Sequence, residues 1–194
     1  MSSTAVSFVL LSLIVLLIAV MFMTSYVKAR TGDVIEQMTK PIAPTVIHQS
    51  MNLIKEFEGF RSLPYRDVGG KWTVGYGYRI KSEEELQLYF SHRMTERHAE
   101  ELLKTFVERD LIRLRGVLRK HGVEVTTYQK VALVSFMYNV GYGAFRRSNL
   151  LRYLKSNDFD KAADDFLKWV HVKGEVVPGL VNRRKRERSV FLGG

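Results

Sequence analysis

From Ala5 to Met23 the chain reads AVSFVLLSLIVLLIAVMFM without a charged side chain. A helix needs about 20 such residues to cross a bilayer, so the pattern predicts a transmembrane helix over residues 5–26. A cleaved signal peptide would instead show a basic start, an apolar region of about 7–15 residues and a small-residue cleavage site, none of them clear here. Tyr26, Lys28 and Arg30 read as an interfacial edge. Residues 28–45, with Thr31-Gly32, Pro41 and Pro44, have little apolar periodicity and read as a linker. Ile47, Met51, Ile54 and Phe57 then recur at helical spacing, with Thr45 as an N-cap and Gly59 as a stop. Between residues 60 and 80, Tyr65, Trp72, Thr73, Val74, Tyr76 and Tyr78 favour strands, and Gly69-Gly70 supplies a turn. Beyond it the chain reads as mostly helical. A long helix is predicted from Thr95 to Lys120, another from the capping box Thr126/Gln129 to Gly141, and shorter ones over Ser148–Lys155, Asp158–Val170 and Val181–Leu192. The predicted architecture is α+β: a small β-hairpin or three-stranded sheet beside a mainly helical lobe. The organisation reads as an anchor over residues 1–27, a linker over 28–45 and a catalytic domain over 46–194.

Charge narrows the range of functions only a little. The net charge is +10, and residues 1–50 hold three cations (Lys28, Arg30, Lys40) against two anions (Asp33, Glu36), so the excess belongs to the domain. A basic domain is drawn to polyanions of any kind, including nucleic acid, anionic lipid and the bacterial envelope. The absence of cysteine excludes a disulfide framework, a thiolate nucleophile and a Cys-ligated metal. The five histidines show no metal-ligand spacing, and both Gly75-Tyr76-Gly77 and Gly141-Tyr142-Gly143 lack the third glycine of a dinucleotide loop. No metal, cofactor or nucleic-acid partner is therefore expected, and no obligate protein partner is inferred.

The informative stretch is Glu58-Gly59-Phe60-Arg61-Ser62-Leu63-Pro64-Tyr65-Arg66-Asp67, continuing through Gly70, Thr73, Gly75 and Gly77. It resembles the catalytic signature of phage-type lysozymes, glycoside hydrolase family 24: Glu-Gly, Tyr-x-Asp, Gly, Thr and Gly-x-Gly in this order. Eight positions at about 6% background each would match by chance at roughly 10⁻¹⁰ per start site. Taken singly, Glu58 reads as a solvated helix end, Asp67 as a turn former and Thr73 as a strand residue. At this joint spacing the catalytic reading prevails. Glycoside hydrolysis needs a carboxylic acid to protonate the leaving oxygen and a second carboxylate across the bond. Glu58 sits at a predicted helix C-terminus, where backbone carbonyls disfavour an anion, as suits an acid. The resemblance implies that Asp67 handles the attacking water and that the Thr73 hydroxyl helps position it. If the turn is the three-residue loop Val68-Gly69-Gly70, strand alternation puts Tyr65, Asp67 and Thr73 on one face, whereas a two-residue turn would separate Asp67 from Thr73. One departure is Tyr78, where the family often has a histidine of structural use. Its loss bears on local stability more than on chemistry.

Two later stretches extend the resemblance over about residues 46–194. Tyr138-Asn139-Val140-Gly141 with Gly143, Phe145, Asn149, Leu150 and Leu151 resembles the helix-loop-helix closing the family's cleft. There Asn139 would be a glycan-facing amide or, alternatively, a helix-end cap. Gly179-Leu180-Val181-Asn182-Arg183-Arg184 with Glu187 resembles the C-terminal helix whose first arginine pairs with the catalytic glutamate, a role that falls to Arg183. Arg184, Lys185, Arg186 and Arg188 read as a solvated face. Trp72 and Trp169 could stack on sugars, but large aromatics more often fill cores.

The resemblance implies an inverting muramidase acting on bacterial peptidoglycan, most simply in phage-mediated host-cell lysis. Alternatives are a virion lysozyme for genome delivery, a non-catalytic wall-binding protein on the same scaffold, a nucleic-acid binder suggested by charge alone, and a lytic transglycosylase. The expected location is the host inner membrane, single-pass through residues 5–26, with the catalytic domain periplasmic. Lys28 and Arg30 after the span favour cytoplasmic storage instead. The resemblance extends to signal-arrest-release endolysins, whose weakly hydrophobic anchors leave the bilayer. This anchor has no glycine and is rich in Leu, Ile, Val and Met, so permanent anchoring is a second expectation.

Overall fold

The computed structural model describes residues 19–28, 30–32, 43–67 and 69–194. The chain divides into two compact units, Met1–Pro41 and Ile42–Gly194. In the first, residues 19–28 and 30–32 are helical, and Arg30 Nη1 donates to the Tyr26 hydroxyl at 2.7 Å. Most of the predicted span, residues 5–26, lies outside the described residues, as does most of the predicted linker. Among the described residues no helix is long and apolar enough to cross a membrane.

The second unit is α+β, and its elements are numbered here from its own start. Helix α1 (Pro44–Glu58) begins one residue before the expected cap: Ala43 is the N-cap, and Pro44 occupies the first turn, where its missing N–H costs nothing. Three antiparallel strands follow in the order β1 (Arg61–Arg66), β2 (Trp72–Gly75) and β3 (Tyr78–Arg79). Helix α2 (Glu83–Ser91) is started by the Ser82 side chain accepting from Glu85 N–H, with three glutamates in its first turn to suit the helix dipole. Helix α3 (Glu96–Lys120), capped by Thr95, runs about 37 Å at 1.5 Å per residue. Helix α4 (Thr127–Val140) carries the expected Thr126/Gln129 capping box, and Gly141 ends it at φ 87°.

Helix α4 is the axis of the lobe. Val131 to Met137 are all buried, because α1, α3 and the last helix, α8 (Pro178–Phe191), pack around it. Short helices α5 (Tyr142–Arg147), α6 (Asn149–Lys155) and α7 (Phe159–Phe166) complete it. The helix expected over Asp158–Val170 is shorter, since a hairpin of β4 (His171–Val172) and β5 (Glu175–Val176) follows. Its two-residue turn places Lys173 at φ 51° and Gly174 at φ 88°, the positive pair that fits the twist of a tight hairpin. Trp169 belongs to the core, edge-on to Phe136 at 5.2 Å, while Phe136 also meets Phe166 at 5.2 Å.

Candidate active site

Glu58 is the last residue of α1, and the helix ends there because Gly59 turns to φ 64°. Its carboxylate is one-fifth exposed, and Oε1 accepts from Arg183 Nη1 at 2.6 Å. On the other side the β2–β3 turn passes close by. Gly77 has φ 86°, and a Cβ there would stand 3.1 Å from Glu58 Oε2 and 3.5 Å from the Tyr138 hydroxyl. Tyr138, from α4, donates to the Tyr76 carbonyl at 2.5 Å. Burial pushes its phenol well above the ordinary range; the charge of Glu58 adds to this and Arg183 opposes it. Gly75 is constrained differently: at φ 65°, its Cβ would meet Met94 Sδ at 2.6 Å and Ala99 Cβ at 3.0 Å. One glycine thus seats the sheet on α3, and the other lets it approach the carboxylate.

Asp67 lies just beyond β1. The pairs Tyr65↔Thr73 and Arg66↔Trp72 continue to a bond from Asp67 N–H to the Lys71 carbonyl at 2.9 Å. This register places Tyr65, Asp67 and Thr73 on one face. Asp67 Oδ1 accepts from the N–H groups of Gly69 and Lys71, each at 2.8 Å. Oδ2 is left for a further partner, with Arg79 Nη2 at 3.7 Å. Thr73 is buried, its hydroxyl donating to the Lys71 carbonyl at 3.1 Å, so a lone pair remains to accept. Burial pushes the Tyr65 phenol up; Glu58 and Asp67 both add to the shift and Arg61 opposes it. The two carboxylates therefore act on one phenol.

Arg183 is held from three sides. Besides Glu58, its Nε donates to Glu187 Oε1 at 3.1 Å and its Nη2 to the Ser135 carbonyl at 3.3 Å, and its guanidinium lies over the Phe57 ring. Arg184 corrects the expectation of a solvated face: it is fully buried, and so is Glu187. Arg184 Nη2 donates to Asn139 Oδ1 at 2.8 Å. Its Nη1 lies 3.1 Å from Glu187 Oε2, but off the line that a hydrogen bond needs. That contact is charge against charge. Asn139 is exposed, and its side-chain carbonyl oxygen is taken by Arg184. Ser135, Tyr138 and Glu187 had no role assigned from sequence; the one available signal was the i, i+4 spacing of Arg183 and Glu187.

Tyr78 keeps its place without a histidine. Its hydroxyl donates to Glu85 Oε1 at 2.7 Å, its ring lies 6.1 Å from Phe106, and burial holds its phenol far above the ordinary range. Trp72 is half-buried, edge-on to Phe90 at 5.6 Å and beneath Arg66 at 4.5 Å. Among the described residues no group of carboxylates and histidines could hold a metal ion.

Residues 55–187 match the Phage lysozyme family model. The chain is 43% identical over 146 residues to the endolysin of Bacillus phage B103, covering 74% of this chain and 52% of that protein. It is 37% identical over 138 residues to a protein of Bacteriophage PS119 named SAR-endolysin, covering 71% and 77% respectively. Among solved structures, the muramidase domain of SpmX from Asticaccaulis excentricus superposes with a TM-score of 0.63 at 30% identity, covering 75% of this chain and 95% of that one. The chain spans about half the length of the Bacillus phage relatives it matches.

Proposed function

The chain belongs to the phage lysozyme family, and from that premise we propose that it is a muramidase cleaving the β-1,4 bond between N-acetylmuramic acid and N-acetylglucosamine during phage-mediated host lysis. The observation that carries the reading is the carboxyl of Glu58, pinned by Arg183 at 2.6 Å and met on its other oxygen by the β2–β3 turn at Gly77, beside a sheet on which Asp67 shares a face with Thr73. Glu58 gives its proton to the leaving oxygen as the glycosidic C–O bond breaks. Water, held by Thr73 and relieved of a proton by Asp67 Oδ2, adds to the sugar carbon from the opposite face. The proton count balances, and the anomeric configuration inverts. Asn139 presents its amide N–H₂ to the glycan.

Product analysis on purified peptidoglycan tests this reading. New reducing-end muramic acid is expected, whereas anhydro-muramic acid would indicate a transglycosylase. Glu58→Gln is expected to lower turnover by at least about 10²-fold, since it removes a general acid. Near-normal turnover would refute the assignment.

Residues 5–26 are further proposed to hold the enzyme at the inner membrane with its catalytic domain outside. The uncharged apolar run and the names of relatives such as the PS119 protein support this. Proteolysis of residues 46–194 in intact spheroplasts is expected. Protection lost only on membrane rupture would mean cytoplasmic storage.

A further inference from the structure

We infer that Glu187 is a positioning residue for this hydrolysis, holding Arg183 as a guanidinium shared between two carboxylates so that Glu58 can carry a proton beside it; the inference rests on the reading proposed above. An arginine facing a lone carboxylate favours the anion, and a general acid must start each turnover protonated. The pairing of Arg183 with Glu58 thus opposes the chemistry unless another anion answers the guanidinium. Glu187 is that anion. It is fully buried and takes Arg183 Nε at 3.1 Å, while Glu58 takes Nη1 at 2.6 Å. Ser135 Oγ donates to the same Glu187 oxygen at 2.7 Å.

The groups acting on Glu58 can be named element by element. From α8 they are Arg183 and Arg184, from α4 Tyr138, and from β1 Tyr65; the β2–β3 turn contributes only the uncharged Gly77. Both phenols are neutral at neutral pH, and Asp67, which acts on the Tyr65 phenol together with Glu58, is untouched by the variants below, so the balance they alter is that of two guanidiniums against Glu187. Burial holds the Glu187 carboxyl above the ordinary carboxylate range, although Arg184, Arg183 and Ser135 oppose the rise. Burial lowers Arg184 to about 10, so it remains a cation at neutral pH. A neutral Glu187 would leave two buried cations facing Glu58 alone; the ionised form is the one that matches the cluster. With Glu187 ionised, one cation is answered without Glu58, and protonating Glu58 leaves a single buried positive charge rather than two.

The test is a ¹³C-detected titration of the Glu58 side-chain carboxyl in the full chain, run beside a pH–rate profile on purified peptidoglycan. Glu187→Gln is expected to lower the Glu58 midpoint, and with it the alkaline limb of the profile. Charges about 7 Å apart at an effective dielectric near 20 shift one another by roughly one to two pH units. Arg184→Gln should move the midpoint the opposite way. The double variant Arg184→Gln/Glu187→Gln, with the charge count restored, should return it towards the parent value and serves if Glu187→Gln does not fold. A residue that merely filled space would not produce shifts of opposite sign. An unmoved Glu58 midpoint in folded variants overturns the inference even if hydrolysis proceeds. Shifted midpoints without any hydrolysis by the parent chain would uphold the charge balance and overturn the muramidase reading instead.

Discussion

Gly77→Ala is a perturbation that separates stability from chemistry. At φ 86° a Cβ costs about 1–2 kcal/mol, because it crowds the neighbouring carbonyl in the left-handed region. The new methyl would also stand 3.1 Å from Glu58 Oε2, closer than ordinary contact by a few tenths of an ångström. The carboxyl is clamped by Arg183 at 2.6 Å on its other oxygen, so relief must come from rotating or withdrawing the acid. A misplacement of about 1 Å costs on the order of 10²-fold in rate, and a few tenths should cost roughly 10-fold. Gly75→Ala is the control. It has a similar backbone penalty at φ 65°, but its Cβ strikes Met94 and Ala99 rather than the acid. Overpacking should add about 1–3 kcal/mol there. Calorimetry and steady-state hydrolysis of soluble glycan fragments would be compared for both. Gly75→Ala should lose more in Tm, and Gly77→Ala more in kcat, with KM little changed. If Gly77→Ala turned over like the parent, or if the two variants lost activity only in proportion to stability, the argument from close approach would be wrong.

Three further outcomes follow from the same geometry. Arg183→Ala strips one partner from a buried cluster and should cost about 3–5 kcal/mol in denaturant unfolding while lowering the hydrolysis rate; unchanged stability and rate would deny the pairing. Stability should fall at alkaline pH, because burial raises the phenols of Tyr65, Tyr76, Tyr78, Tyr89 and Tyr138. Their contribution is fully present below an unfolded value of about 10 and is lost as pH climbs through the raised folded values. Tm measured from pH 8 to 11 should therefore drop above about 10, and Tyr138→Phe should flatten that drop; a level curve contradicts the burial argument. Trp169→Phe should cost about 1 kcal/mol through its edge contact with Phe136 at 5.2 Å and leave KM alone, so a large KM increase would place Trp169 on the glycan.

Much of the domain was legible because its signals are local. A 3.6-residue period and a capping box act within a few residues of themselves, which is why α3 and α4 lie where Thr95 and Thr126 start them. The signature around Glu58 and Asp67 was legible too, as residue types at set spacing, and the choice between turn lengths needed only the register Tyr65↔Thr73. The β4–β5 hairpin was not foreseen, since strands of two residues are too short to show a period, although Lys173-Gly174 marks a tight turn in hindsight.

What the sequence determined alone was the longer elements, β1 and β2 with α1, α3 and α4, because backbone sterics, caps and hydrophobic spacing are decided by near neighbours; the catalytic candidates came from the resemblance carried by the signature around Glu58. What the tertiary structure decided was which charges are buried together. The resemblance already paired Arg183 with Glu58, but Arg184 read as part of a solvated face and Glu187 had no role; all three are inside, since Glu58 arrives from 125 positions away and Ser135 and Asn139 from 48 and 45. Burying a charge is tolerable only when opposite charges and hydrogen bonds meet it. Those partners belong to other elements, so the pattern within one helix cannot disclose them until α1 and α4 have packed against it.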